Sequence, residues 1–340
     1  MRAVIIHGPG DIRVEDVAAD TIQHPTDAVI EVKAACVCGS DLWRYRGETP
    51  IAPGSRMGHE YVGIVTEIGS GVSTVQPGDW VVGSFVASCG VCEICQAGDF
   101  SGCINREMLG GVGTQAEYSR IPWADGTLVK LPAPPTDEQL RHLLAASDVL
   151  GTGWFGADTA GVGPGKTVAI IGDGAVGLSA VLASRELGAE RIIISSRHAD
   201  RQEMARAFGA TDVVEQRGDE FVSQVIEMTN GYGAHSAVEA VGTNEAMQQA
   251  IASTRRGGKV GFLGISHGVE ITGEQLFGAL IHLHGGPAPV RRYLPKLVER
   301  IYAGGFTPGD VFTQTLLLNE AAAGYQAMDD RSAIKVMLTP

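Results

Sequence analysis

Hydrophobic and polar positions divide the chain into two regimes. Up to about residue 130 the apolar runs are short and punctuated by turn residues. Ala28 to Val37 reads as a strand, and Tyr61 to Gly69 as another that ends in a glycine turn. Gln76-Pro77-Gly78-Asp79 carries turn chemistry and leads into the apolar Trp80-Val81-Val82-Gly83. After Leu131-Pro132-Ala133-Pro134-Pro135 the spacing turns helical. Thr136 to Glu138 supply a polar cap and an acidic first turn, and Leu140, Leu143 and Leu144 follow at helical intervals.

From about Lys166 strands and helices alternate. Thr167 to Ile171 is a buried-strand run, and Ala175 to Leu187 has helical spacing through Val176, Leu178, Val181, Leu182 and Leu187. Arg191 to Ser195 reads as a strand, Asp200 to Phe208 as a helix and Asp212 to Val214 as a strand. Ser236 to Ala240 and Lys259 to Leu263 complete five apolar strands. That alternation predicts an α/β, doubly wound parallel sheet covered on both faces. Beyond His284-Gly285-Gly286-Pro287 it stops. A helix near Arg292 to Tyr302 and a last strand from Ala333 to Leu338 imply that the tail returns to the first domain. The expected division is 1–149 with 286–340, and 150–285.

Length agrees with two domains, since 340 residues exceed one ordinary core. The net charge of −13 speaks against a nucleic-acid partner, which would need clustered Lys and Arg. No apolar run is long enough for a membrane span, and the apolar stretch at the start is too short for a signal peptide. A cytoplasmic enzyme is the expectation. Gly, at 46 residues, is nearly twice its usual share of about 7%.

Three constellations carry chemistry. Gly172-Asp173-Gly174-Ala175-Val176-Gly177 fits G-x-G-x-x-G between a buried strand and an amphipathic helix. Its glycines would permit a tight turn, close approach of a pyrophosphate and close helix–strand packing. At the end of the second strand, where an acid would read the ribose, stand Ser196 and Arg197, with Arg201 one helical turn on. A hydroxyl beside guanidinium groups suits a 2′-phosphate, which favours NADP(H) over NAD(H). Cys89-x2-Cys92-x2-Cys95-x7-Cys103 supplies four thiolates for a closed, structural zinc.

The third constellation is dispersed: Cys38-Gly39-Ser40-Asp41, Gly58-His59-Glu60, and Asp148 after Ala145-Ala146-Ser147. A thiolate, an imidazole and a carboxylate would leave zinc an open position, yet spacing alone does not join them. Together with the four-Cys lobe and the Gly fingerprint, the order and spacing of these motifs resemble zinc-containing medium-chain dehydrogenases. Within that family the chain looks most like bacterial NADP-linked secondary alcohol dehydrogenases.

The resemblance implies a GroES-like β-rich catalytic domain plus a Rossmann cofactor domain. It implies that Cys38, His59 and Asp148 hold a catalytic zinc, with Glu60 an exchangeable further ligand. Thr152 and the backbone near Val241, Gly242, Gly264 and Ile265 match segments that touch the nicotinamide, and Lys335 matches a basic residue near the pyrophosphate. Hydride transfer between NADP(H) and a small alcohol or carbonyl is the implied reaction, with Ser40 passing the alcohol proton outward. Trp43 stands where many relatives place a relay His. Trp43, Phe85, Met108 and Leu109 are expected to wall the substrate pocket, which suits hydrophobic secondary or aromatic alcohols. Cys36 reads as core. A homodimer or homotetramer is implied as well. The alternatives are an NAD-linked polyol or sugar dehydrogenase on the same scaffold, and a zinc-stabilised nucleotide-binding module without turnover.

Overall fold

The computed structural model describes all 340 residues, Met1–Pro340. The chain divides into two units, Met1–Gly151 with Pro289–Pro340, and Thr152–Ala288. The first boundary falls inside the helix Val149–Thr159, whose glycines and mixed apolar positions mask its periodicity in the sequence. The C-terminal segment belongs to the first unit.

A seven-stranded sheet organises the first unit. Its path runs through Leu128–Lys130, Trp80–Gly83, Tyr61–Ile68, Ala28–Val37, Lys335–Thr339 and Phe312–Leu317, with Tyr118–Ile121 also pairing to Ala28–Val37. The central strand Ala28–Val37 is buried along most of its length because it has neighbours on both edges. Two cores flank it. One joins Val4, Val37, Met57, Tyr325 and Val336, so the C-terminal tail completes it. The other joins Ile30, Tyr61, Val81, Leu109 and Leu128. Each large buried side chain contributes roughly 1.5–3 kcal/mol. An N-terminal hairpin, Arg2–Gly8 and Asp11–Asp16, lies outside the strands expected from the pattern.

The second unit is a six-stranded, wholly parallel sheet. Its order is Asp212–Val214, Arg191–Ser195, Thr167–Ile171, Ala234–Glu239, Thr254–Phe262 and His282–Gly285. The order reverses beside Thr167–Ile171, the strand that ends in the Gly fingerprint, which is where doubly wound sheets bind ligands. The sixth strand, His282–Gly285, lies beyond the five that the apolar pattern predicts. It is an edge strand with one apolar residue, Leu283, and so lacks the apolar run of its neighbours. No helix of the chain is long and apolar enough to cross a membrane.

Candidate active site and metal centres

Cys38 follows the strand Ala28–Val37 directly and caps the helix Gly39–Tyr45. His59 and Glu60 lead into the strand Tyr61–Ile68, and Asp148 sits between the helices Asp137–Ala146 and Val149–Thr159. The fold gathers one donor atom from each of Cys38, His59, Glu60 and Asp148 within 4.8 Å of one another. Asp148 Oδ2 lies 3.3 Å from His59 Nε2 and 3.7 Å from Cys38 Sγ. All four side chains are buried.

Two buried carboxylates and a thiol in one place are costly unless a cation accompanies them. Burial pushes both the Glu60 carboxyl and the Cys38 thiol upward, while Lys335 pulls each of them back. Lys335 Nζ holds Glu60 Oε1 at 2.7 Å, yet Glu60 Oε2 is buried with no hydrogen-bond partner. A thiolate, an imidazole and carboxylates converging beside an orphaned oxygen fit zinc. His59 is aimed by its other nitrogen: Nδ1 faces Asp41 Oδ1 at 3.5 Å, which leaves Nε2 toward the donor set. Burial opposes a charged ring, but Asp41 and Cys38 outweigh it and hold His59 well above the usual imidazole range.

The second cluster is Cys89, Cys92, Cys95 and Cys103, whose sulfurs also lie within 4.8 Å of one another. None is in a disulfide. Cys103 Sγ is 3.5 Å from Cys89 Sγ and 3.9 Å from Cys92 Sγ, and it accepts the N–H groups of Cys89 and Asn105, each at 3.3 Å. Burial opposes ionisation of Cys89, but the backbone N–H groups of Val91 and Cys92 prevail and bring its thiol down to about 6. N–H groups aimed at sulfur are what a tetrathiolate metal site requires.

In the second unit Gly172 has φ +115°, and a Cβ on Gly177 would lie 1.9 Å from the Gly172 carbonyl oxygen. That contact closes the turn onto the helix Ala175–Glu186. A Cβ on Gly174 would meet nothing within 4 Å, so a ligand can reach its backbone. Gly177→Ala should therefore cost roughly 1–3 kcal/mol and weaken nucleotide binding; thermal unfolding and nucleotide titration check it. Val241, Gly242, Gly264 and Ile265 are brought together: a Cβ on Gly242 would lie 2.2 Å from the Ile265 carbonyl oxygen. Thr152 is buried on the helix Val149–Thr159.

Comparison with known proteins agrees with this geometry. The description "Alcohol dehydrogenase GroES-like domain" matches residues 24–133, and "Zinc-binding dehydrogenase" matches residues 175–287. A Mycobacterium tuberculosis protein described as a zinc-binding alcohol dehydrogenase is 37% identical over 98% of this chain and 86% of its own length. The chain belongs to the zinc-dependent medium-chain alcohol dehydrogenase family. The alcohol dehydrogenase of Thermus sp. ATN1 superposes on it with a TM-score of 0.92 at 34% identity, covering 100% of this chain and 99% of that one. A Sinorhizobium meliloti 1021 protein described as a zinc-binding dehydrogenase, solved with NADP bound, gives a TM-score of 0.84 at 28% identity, covering 100% of this chain and 99% of that one.

Two expectations for this dehydrogenase need correction. Lys335, expected near the pyrophosphate, does not stand free at a surface. It is fully buried, donating to Glu60 and to the Val37 carbonyl, so its charge is spent beneath the metal site. Leu109 is not a pocket wall: it is 0% exposed inside the core of the seven-stranded sheet. Phe85 does flank the metal donors, its ring centroid 6.1 Å from that of His59 in an edge-on arrangement. Trp43 and Ser40 are half-buried on the helix Gly39–Tyr45, and Met108 is 48% exposed.

Several supporting residues were not foreseen. Asp41 Oδ2 accepts the Cys38 N–H at 3.1 Å and the Gln115 amide at 3.3 Å, and Gln115 Oε1 accepts the Tyr325 hydroxyl at 3.0 Å. A buried network thus reaches from His59 to the C-terminal tail. In the second unit Glu239 Oε1 accepts the N–H groups of Val241 and Gly242 at 2.7 and 2.8 Å, fixing the loop beside the fingerprint. Asp173 takes up both Ser196 and Arg201, while Arg197 is exposed and unpaired.

Proposed function

We propose that the protein is an alcohol dehydrogenase or carbonyl reductase with two zinc ions per chain, one catalytic and one structural, using NADP(H) in preference to NAD(H). The convergence of buried Cys38, His59, Glu60 and Asp148 donors within 4.8 Å carries this reading. When bound, zinc supplies a Lewis acid for the substrate oxygen, and the nicotinamide supplies the hydride donor or acceptor. Cys38, His59 and Asp148 would hold the metal. Asp41 keeps the His59 Nδ1 proton on its far side, so Nε2 stays a ligand. Lys335 holds Glu60 Oε1, so Oε2 would be the oxygen that Glu60 offers as a further, exchangeable ligand. Ser40 accepts the alcohol proton and passes it outward. Phe85 and Trp43 favour an apolar substituent on the carbinol carbon, which suits secondary or aromatic alcohols better than polyols. A homodimer or homotetramer is in keeping with the family.

The NADP(H) preference rests on the lack of an acid at position 196 and on the unpaired cation of Arg197 beside it. NADP in the Sinorhizobium meliloti structure is consistent with it. Fluorescence titration with NADPH and NADH tests the reading without a guess at the substrate. NADPH is expected to bind more tightly, and Arg197→Ala to weaken NADPH about tenfold while changing NADH less than about twofold. Equal weakening of both would remove Arg197 from phosphate recognition. Tighter NADH binding by the unaltered protein would favour the NAD-linked alternative.

A further inference from the structure

Of the residues that close the end of the second strand of the parallel sheet, one carboxylate has no part in the reading above. Asp173 is the second residue of the Gly172–Gly177 turn and is 6% exposed. Its Oδ2 accepts the Ser196 hydroxyl at 2.9 Å. The Arg201 guanidinium donates to its backbone carbonyl at 3.1 Å and lies 3.8 Å from its Oδ1. Ser196 and Arg201 are themselves buried, at 1% and 6% exposure. The two polar groups that suit a 2′-phosphate are thus already engaged by an acid, and one of the two cations is neutralised. Only the exposed Arg197 is left with its charge unspent.

We propose that Asp173 is a specificity-determining residue that limits discrimination in favour of NADP(H), doing from the fingerprint loop what an acid at the end of the second strand does in other dinucleotide-binding folds. The proposal rests on the nucleotide-binding reading given above. In this fold the end-of-strand position about 20 residues after the fingerprint reads the adenosine ribose. A ligand that reaches Ser196 there comes within one hydrogen bond of the Asp173 carboxylate. A 2′-hydroxyl can donate to that carboxylate. A 2′-phosphate, acceptor-only and carrying nearly two negative charges, is repelled by it and must compete with it for Ser196 and Arg201. Asp173 therefore works against Arg197, and the balance between them sets the ratio of the two affinities.

Asp173→Asn tests this with little change of shape. The amide oxygen can still accept from Ser196, and the contact to Arg201 through the main-chain carbonyl does not depend on the side chain. Titration of the full-length zinc-loaded protein with NADPH and with NADH should show the affinity ratio rising about tenfold toward NADPH. The gain should come from tighter NADPH binding. In an Arg201→Gln background the same substitution should give a clearly smaller gain, because the cation that Asp173 otherwise neutralises is then absent. If Asp173 merely braces the loop, both nucleotides weaken together and the ratio stays within about twofold, which overturns the proposal; the thermal midpoint of each variant separates that outcome from misfolding. Failure of the underlying reading looks different: the unaltered protein would bind neither nucleotide, and the Asp173 proposal would fall with it.

Discussion

Asp148→Ala is expected to lower kcat/KM for alcohol oxidation by about three orders of magnitude, with bound zinc falling from two ions per chain to one. Asp148 Oδ2 is where the set converges, 3.3 Å from His59 Nε2 and 3.7 Å from Cys38 Sγ. Without it the remaining donors are Cys38, His59 and a Glu60 that Lys335 already holds by one oxygen. A metal Lewis acid is worth several kcal/mol of transition-state stabilisation, and each ~1.4 kcal/mol is tenfold in rate. The fold should survive, since the Ser147 hydroxyl closes the preceding helix on the Leu144 carbonyl without help from Asp148. Ser40→Ala provides the contrast. It removes a proton acceptor but no ligand, so turnover should drop about a hundredfold with both zinc ions retained. Metal analysis beside steady-state kinetics reads both variants. Full turnover in Asp148→Ala would refute the assignment of the catalytic set, and full turnover in Ser40→Ala would take Ser40 out of the proton path.

Residues whose chemistry is tied to spacing were legible from the chain alone. The four cysteines fall within fifteen residues, and no ordinary packing role calls for such a cluster. The Gly fingerprint was legible because a strand run ends at Ile171 and helical spacing begins at Ala175. Asp148, 110 residues from Cys38, was joined to it only through family resemblance, because loop spacing carries no information on what a fold brings together. Asp41 stood in plain view three residues after Cys38, and that interval is the capping spacing that would have tied its carboxylate to the Cys38 N–H. Gln115 and Tyr325 offered no such signal, since their bond spans 210 residues of sequence. Lys335 and Arg201 are less free than their places in the sequence suggest, for a shared reason. A basic residue reads as available to an anion, whereas both are buried on acids of this chain. Charge is written in the sequence; whether it is already spent is a property of packing.

The cysteine lobe leads to the second large expectation. Cys103→Ser should remove the structural zinc, leave one ion per chain, and lower the Tm of the protein by roughly 5–10 °C. Few apolar groups hold this segment together. Phe100 and Trp123 pack beside the cysteines, while Val91 and Ile104 are 78% and 74% exposed. Structural zinc contributes on the order of 10–16 kcal/mol in isolated peptides, where metal binding and folding are one event. Here the seven-stranded sheet has cores of its own, so the expected loss is confined to the lobe, about 3 kcal/mol. Cys103 is the substitution of choice because its sulfur stands at the centre of the set, near Cys89 and Cys92 and under two backbone N–H groups. A hydroxyl in its place is a poor ligand for zinc beside three thiolates. Hydrogen exchange and limited proteolysis should show residues 89–105 opening while the strand Ala28–Val37 stays protected. Turnover at low temperature should remain within a few-fold of the unaltered protein, because Cys38, His59 and Asp148 lie outside the lobe, beside elements it does not contain. Two zinc ions and an unchanged Tm in Cys103→Ser would show that the lobe is held by packing rather than by metal.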